Sequence, residues 1–343
     1  MYSKSILLIG NHFSGQTHNQ NAWQDLANHL RFSGYDVIIT SAKQNKLLRF
    51  VDMLGTILKR RRDYTLAEVD VFSGQAFTWA YFCGHLLKII KKPFILTLHG
   101  GNLPQFSKRH PVMVRWLLEE AYAVTAPSRY LQMEMRKYRD DISLIPNALD
   151  LAHYPFLVRS NPQPKLIWLR AFHEIYNPKM AVEVLQHLIK QFPNVKLTMV
   201  GPDKEDGSFQ KTKALAAQYG LQDKVQYPGG ISKTDVPGWL NKGDIFINTT
   251  NFDNTPISVM EAMACGLCVV CTNVGGIPYL LEDGVDALLA PPNDPDAMAA
   301  AVRQILTEPG LAGRLSINAR KKAEQFDWEN IFPQWEKLIQ SIL

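Results

Sequence analysis

The sequence predicts an α/β protein made of two doubly wound domains. Short apolar runs alternate with amphipathic stretches of helical period along almost the whole chain, which is typical of parallel sheets covered by helices. The apolar runs are rich in β-branched residues and show little alternation, as expected for strands buried on both faces. The length of 343 residues is enough for two domains with their own cores.

The first half of the chain alternates strands with helices. The predicted strands are 5–10, 35–40, 69–73, 94–98, 123–126 and 142–145, and the predicted helices are 19–33, 46–61, 75–90, 111–120 and 129–137. Ligands of such sheets bind at the carboxyl ends of the strands. Two loops at these ends are candidates: residues 11–20, which carry Gly15, and the run His99-Gly100-Gly101-Asn102. His99 can donate a hydrogen bond to a hydroxyl or a phosphate, although it also suits a purely structural role.

Residues 150–164 are the predicted hinge, because the stretch from Tyr154 to Pro164 is irregular and contains prolines. The predicted domains are therefore 1–150 and 151–325, followed by a C-terminal helix within 326–343. In the second domain the predicted strands are 166–170, 196–200, 225–227, 244–248, 268–272 and 287–289, and the predicted helices are 178–191, 208–219, 233–241, 256–265, 295–306 and 310–325.

Residues 251–276 are the most informative stretch of the chain. Pro256 fits the first position of a helix, and Gly266 fits its stop. The first amides of this helix, over Asn254, Thr255, Pro256, Ile257 and Ser258, predict an anion site; proline itself supplies no N–H.

Two acids flank this predicted helix start. Asp253 precedes the helix and Glu261 lies in its second turn. Acids repel a bare phosphate but accept hydrogen bonds from hydroxyl groups, so the pattern favours a sugar joined to a nucleoside through phosphates. The alternative is that Glu261 is a solvated helix residue and Asp253 an ordinary loop acid.

At these residues the chain resembles the retaining glycosyltransferases of family four, which have the GT-B fold. The run Glu261-Ala262-Met263-Ala264-Cys265-Gly266 and the pair Gly275-Gly276 match the family signature. Two departures occur: Asp253 stands where the family has Glu, and Cys268 replaces the usual proline. The resemblance implies two Rossmann-like domains facing each other across a cleft. It also implies retention of the anomeric configuration, front-face attack and a leaving phosphate that serves as the base.

The resemblance also implies the roles of several residues. Arg170 matches the family arginine that neutralises the diphosphate, whereas Lys179 lies at a longer spacing than the family lysine, with His173 as a fallback. The other implied assignments are sugar contacts from His99 and Asn102, glycine-loop contacts from Gly15 and Gly101, ribose and base contacts from Gly201, Gly229 and Gly230, and a C-terminal helix that crosses back to the first domain with Ile331, Trp335, Leu338 and Ile342.

The net charge of +5 is concentrated in two clusters of the first half. These clusters are interpreted either as solvated helix ends or as a contact for anionic lipid. A nucleic-acid contact fits less well, because no nucleic-acid-binding motif accompanies the clusters. No apolar run approaches the roughly 20 residues of a membrane helix, and the N-terminus reads as a strand. A cytoplasmic location, with a possible position at the inner membrane face, is expected. The clusters are Lys59, Arg60, Arg61, Arg62, and Lys88, Lys91, Lys92.

No metal or other cofactor is expected beside the UDP- or GDP-linked sugar itself. Cys265, Cys268 and Cys271 cannot converge on one ion if they span a helix end and a strand, and Asp294-Pro295-Asp296 suits a helix cap better than a metal. The sequence thus predicts transfer of a hexose to a glycan or lipid-linked acceptor in polysaccharide or glycolipid synthesis. The alternatives are a non-catalytic nucleotide-sugar-binding protein and an NAD-dependent oxidoreductase, whose glycine fingerprint is absent after the first strand.

Overall fold

A computed structural model describes residues 4–10 and 22–343 of the chain. The chain divides into two compact units: unit 1 is Met1–Ala148 with Glu329–Leu343, and unit 2 is Leu149–Trp328. Each unit contains one six-stranded sheet whose paired strands are parallel, with helices between the strands. The predicted fold class is therefore confirmed.

Unit 1 has the strand order β2-β1-β3-β4-β5-β6. Its strands are β1 (Ser5–Ile9), β2 (Asp36–Thr40), β3 (Leu66–Val71), β4 (Phe94–Leu98), β5 (Ala123–Ala126) and β6 (Ser143–Leu144). Its helices are α1 (Ala22–Phe32), α2 (Lys46–Lys59), α3 (Gln75–Ile89), α4 (Leu103–Arg109), α5 (Pro111–Glu120), α6 (Arg129–Met135) and, after its first residue, α14 (Trp328–Gln340).

The C-terminal helix α14 covers one face of the sheet of unit 1. Trp335 and Ile339 are buried there and line a small cavity with Leu26 of α1 and Ile6 of β1. Ile331 is also buried, whereas the predicted positions Leu338 and Ile342 are only half-buried. The opposite face of the sheet is packed mainly against α2, α3 and α5.

Unit 2 has the strand order β12-β11-β10-β7-β8-β9. Its strands are β7 (Lys165–Leu169), β8 (Lys196–Val200), β9 (Val225–Gly229), β10 (Ile245–Asn248), β11 (Cys268–Thr272) and β12 (Leu288–Ala290). Its helices are α7 (Pro178–Leu188), α8 (Ser208–Gln218), α9 (Val236–Leu240), α10 (Ile257–Ala264), α11 (Ile277–Leu280), α12 (Pro295–Thr307) and α13 (Leu311–Glu324). The chain order reverses between β7 and β10, so the topological switch point of the sheet lies there.

Two predicted elements are misplaced. The strand predicted at 69–73 is β3, which begins at Leu66 and ends at Val71, because the acidic residue Glu68 is buried inside the strand rather than excluded from it. The helix predicted at 233–241 is a 3₁₀ turn, Lys233–Asp235, followed by the short helix α9, which has Pro237 in its first turn. Within the described parts of the chain, no helix is both long and apolar enough to cross a bilayer.

Candidate active site

The candidate site of unit 2 lies at the switch point of its sheet. Arg170 follows the last residue of β7, and the loop that leads to α10 follows β10, the neighbouring strand. Because parallel strands end at the same edge of a sheet, this loop and Arg170 meet at the carboxyl edge. Ligands of open α/β sheets bind at such a switch point.

The start of α10 differs from the prediction by one residue. Pro256 is not the first helical residue but the residue before it, since its ψ of 113° is extended and the helix begins at Ile257. No side chain caps this helix start, so its first amides are available to a ligand. The side-chain oxygen of Ser258 is buried there and has no hydrogen-bond partner. Gly266 ends the helix with a φ of +77°, as predicted.

The Gly275-Gly276 turn holds the loop before α10 in place. The amide of Gly276 donates to the carbonyl of Asp253 at 2.9 Å. A Cβ on Gly275 would overlap that same carbonyl oxygen, and one on Gly276 would overlap the carbonyl oxygen of Asn254. Two glycines are therefore needed because the two backbones touch. The signature glycines therefore position the backbone of Asp253 and Asn254 by packing against it.

Arg170 and Asp253 form an ion pair in this site. The guanidinium also lies 4.1 Å from the ring centroid of Tyr176, and its Nε is buried without a hydrogen-bond partner. The other carboxylate oxygen of Asp253 accepts from the amide of Asn254 at 2.9 Å. Burial raises the pKa of Asp253, and the charge of Arg170 opposes this effect. The two residues thus hold each other in position beside the helix start.

Glu261 is buried on α10 and is 6% exposed. Its Oε1 accepts a hydrogen bond from the hydroxyl of Tyr154 at 2.8 Å. Burial raises the pKa of Glu261 to about 7, while the Tyr154 hydrogen bond and the charges of Lys233 and Arg170 lower it. The alternative of a solvated helix residue is therefore wrong for Glu261. Its carboxyl can switch between neutral and ionised forms near neutral pH.

Two predicted cations do not join this group. Lys179 is exposed in the first turn of α7, and Lys233 instead is the lysine whose charge acts on Glu261. His173, the fallback, uses its Nδ1 to accept from the amide of Ile175 in its own turn.

The predicted glycines lie at or just after the carboxyl ends of β8 and β9. Gly201 packs directly against the carbonyl of Arg170, and its amide donates to the carbonyl of Gly229 at 2.9 Å. Gly230 packs against Pro202. Around the helix start, Asn254, Pro256 and Ser258 are buried, whereas Thr255 and Ile257 are half-buried.

In unit 1, His99 is held at the carboxyl end of β4. Its Nε2 is buried 2.6 Å from Oδ1 of Asp70, too oblique for an aligned hydrogen bond, and its ring stacks on Phe72 at 4.8 Å between centroids. Gly101 lies in the turn after it, and Asn102 is exposed immediately before α4. Gly15 and the rest of the loop 11–20 lie outside the described residues.

The described residues contain no cluster of three or more His, Cys, Asp or Glu side chains arranged for a metal ion. Cys265, Cys268 and Cys271 are all buried, and burial raises the pKa of each thiol. Asp294 caps α12 by accepting from the amide of Ala297 at 2.8 Å, as the sequence predicts.

Sequence reasoning missed Tyr154, Lys233 and Asp70. Tyr154 lies in the predicted hinge, 107 positions from its partner Glu261, and Lys233 follows a glycine turn that was considered only for its backbone. Asp70 lies inside a strand that was predicted to be apolar. Two local signals could have indicated site residues: Lys233 is a polar residue close after a glycine turn, and Asp70 is a polar residue within an apolar run.

Two family models match the chain, Glycosyl transferases group 1 over residues 156–322 and Glycosyltransferase Family 4 over residues 19–153. The chain is 25% identical over 158 residues to D-inositol 3-phosphate glycosyltransferase of Streptomyces bingchenggensis, covering 44% of this chain and 35% of the relative. It is 23% identical over 258 residues to Glycogen synthase of Mycobacterium tuberculosis, covering 70% and 61%. The chain therefore spans less than two thirds of the length of these relatives.

Solved structures share the fold over the full chain. Sucrose-phosphate synthase from Thermosynechococcus elongatus superposes with a TM-score of 0.80 at 18% identity, covering 99% of both chains. Anabaena HepE in complex with UDP and glucose superposes with a TM-score of 0.77 at 17% identity, covering 98% of this chain and 100% of that one. Given the two family models and this shared architecture, the chain belongs to the family-four type of glycosyltransferases with the GT-B fold.

Proposed function

We propose that this protein is a retaining, metal-independent glycosyltransferase. It moves a hexose from a UDP- or GDP-linked sugar to a glycan or lipid-linked acceptor in polysaccharide or glycolipid synthesis. The observation that carries the proposal is the uncapped start of α10, which has a largely covered arginine beside it and a buried carboxyl one turn further along. The two relatives named above are a glycosyltransferase and a glycogen synthase by name, which supports the same class of reaction.

The diphosphate of the donor is assigned to the start of α10. The amides of Ile257 and Ser258, together with the buried hydroxyl of Ser258, are hydrogen-bond donors without a side-chain partner. Helix starts favour anions because their amides are unpaired and the helix dipole is positive there. Arg170 supplies the positive charge, and its unpartnered Nε is a free donor. These groups replace the function of a metal in our proposal.

The ribose of the donor is assigned to Glu261. An ionised carboxylate accepts from two adjacent hydroxyls, and the Tyr154 hydroxyl fixes one of its oxygens. Asp253 then serves mainly to orient Arg170, because both of its oxygens already have partners. In unit 1, His99 and Asn102 are assigned to hydroxyls of the transferred sugar.

In the proposed reaction the bond between the sugar C1 and the β-phosphate oxygen breaks, and its electron pair stays on the phosphate. The acceptor oxygen bonds to C1 on the same face and its proton passes to the leaving phosphate. Negative charge therefore grows on the diphosphate in the transition state, where Arg170 and the amides of α10 stabilise it most. Arg170 is accordingly assigned a catalytic role, because it stabilises the transition state more than it stabilises the bound donor.

The proposal is tested by incubating the protein with UDP- and GDP-sugars and with oligosaccharide or lipid-linked acceptors, with and without EDTA. The expected result is acceptor-dependent release of UDP or GDP, unchanged by EDTA, with the product anomer matching the donor anomer by NMR. Arg170→Ala should lower the rate on the order of tenfold to a hundredfold, whereas Arg314→Ala, an exposed control on α13, should not. Donor binding without turnover on any acceptor would identify a nucleotide-sugar-binding protein instead.

A further inference from the structure

Helix α2 has two apolar faces, and the core of unit 1 uses only one of them. Met53 and Ile57 are buried against the sheet. On the opposite side Leu47, Val51 and Leu58 are 70%, 58% and 40% exposed. Their spacing of four and seven residues places them on one helical stripe. In the part of the chain that the structure describes, nothing covers this stripe.

Helix α3 extends the exposed face. Phe82 and Ile89, seven residues apart on one side of α3, are 48% and 74% exposed. The two helices are joined by Phe50 of α2, whose ring lies 5.8 Å from that of Phe82 and 6.5 Å from that of Trp79. We name the exposed apolar residues of these two helices the outer apolar surface; it consists of Leu47, Leu48, Val51, Leu58, Phe82 and Ile89. Contiguous apolar patches of this kind mark binding surfaces more often than scattered single residues do.

Free positive charge lies at one end of this surface. Both helices return from the carboxyl to the amino edge of the parallel sheet, so their C-termini lie at the same edge. The exposed basic residues at that edge that have no carboxylate within ion-pair distance among the described residues are Lys59, Arg61, Arg62 and Lys91.

The free charge is smaller than the sequence suggests. Arg60 is paired with Asp63, and Lys88 with Glu120. Lys92 donates to the carbonyl of Tyr64 at 2.5 Å. These three residues of the predicted basic patch are therefore engaged within unit 1, and the attraction for an anionic partner comes from the remaining four.

We propose that the outer apolar surface and these four cations bind an anionic lipid bilayer peripherally. An amphipathic helix lies in the interface with its apolar side chains at the boundary of headgroups and acyl chains, and nearby Lys and Arg are attracted to anionic lipids. A second copy of the chain fits less well, because a twofold contact through the same surface would bring the two sets of uncompensated cations together. The inference does not depend on the proposed transfer reaction, since binding is measured without a nucleotide sugar.

The test is flotation of the full chain with vesicles of phosphatidylcholine, or of phosphatidylcholine mixed with phosphatidylglycerol. The double variant Leu47→Gln/Val51→Gln keeps good helix formers, and Arg61→Gln/Arg62→Gln removes two charges. Val112→Gln is the matched control, because Val112 is 79% exposed on α5, outside the surface. Thermal melting confirms that each variant is folded.

We expect the wild type and Val112→Gln to bind the phosphatidylglycerol vesicles and to be released by salt. Each double variant should bind them at least about tenfold more weakly, given the usual contribution of interfacial apolar groups and charges. The proposal is overturned if the wild type does not bind, if it binds both kinds of vesicle equally, or if the double variants bind as the wild type does. A dimer seen by light scattering and dissolved by Leu47→Gln/Val51→Gln would assign the surface to a second copy and equally overturn it.

Discussion

Replacing Glu261 with Gln should make the protein more stable at alkaline pH while weakening its affinity for nucleotides. Burial raises the pKa of Glu261 from its usual value of 4.5 to about 7. Between these two values the folded protein holds a proton that the unfolded chain has already lost. The free energy of unfolding therefore falls as pH rises through this window, by about 1.4 kcal/mol for each pH unit.

The magnitude follows from the shift itself. The difference between 7 and 4.5 corresponds to about 3 kcal/mol at pH 8, and below pH 4.5 the carboxyl is neutral in both states and contributes nothing. Glutamine is neutral at every pH and can still accept from Tyr154, so it escapes this cost. The protein nevertheless has glutamate at this position, at a cost in stability above pH 4.5. Such a cost is expected where function requires a charged residue.

The assay is chemical denaturation of the wild type and Glu261→Gln from pH 4.5 to pH 8. The gain of the variant should be near zero at the acid end and grow to about 3 kcal/mol at the alkaline end. Calorimetry at pH 8 should show at least tenfold weaker binding of UDP or GDP, because charged hydrogen bonds to ribose are lost. Glu308→Gln, an exposed control on the same unit, should change neither. Parallel stability curves for Glu261→Gln and wild type would refute the reasoning.

Three further perturbations follow from the same contacts. Tyr154→Phe removes the hydrogen bond that lowers the pKa of Glu261, so the midpoint of pH-dependent nucleotide binding should move to higher pH; an unmoved midpoint would contradict this. Arg170→Gln should destabilise the protein by roughly 3 kcal/mol, because the largely covered carboxylate of Asp253 loses its cation and keeps only the amide of Asn254. Adding Asp253→Asn should recover part of the loss in a double-mutant cycle; strictly additive losses would contradict the pairing. Asp70→Asn should lower kcat/KM for sugar transfer on the order of tenfold, with nucleotide affinity unchanged, because His99 loses its anchor; full activity would remove Asp70 from this role.

Local signals in the sequence predicted the framework of the fold well. Gly266 ends α10 and Asp294 caps α12, because these roles depend only on residues within one turn. The family was likewise predicted from the run around Glu261 and the Gly275-Gly276 pair. These residues lie close together in sequence, where spacing carries the information.

Contacts between distant residues could not be predicted in this way. Nothing near Tyr154 in the sequence indicates Glu261 as its partner, and the pairing of Arg170 with Asp253 spans 83 positions. The start of β3 was also missed, here because an acidic residue is buried in the strand. Glu68 accepts a hydrogen bond from Thr97 on the neighbouring strand, and burial together with the charge of Asp70 raises its pKa well above the usual range. The segment around Glu68 looks too polar for a buried strand until its partner Thr97 is known, which is why the start of β3 was placed three residues late.

The central claim is tested most directly by a crystal structure of the protein with UDP or GDP bound. Our account predicts ribose hydroxyls within hydrogen-bond distance of the Glu261 carboxylate and diphosphate oxygens on the amides of Ile257 and Ser258, with Arg170 in contact with them. A nucleotide bound away from α10, or one whose phosphates lie apart from the start of this helix, would contradict it.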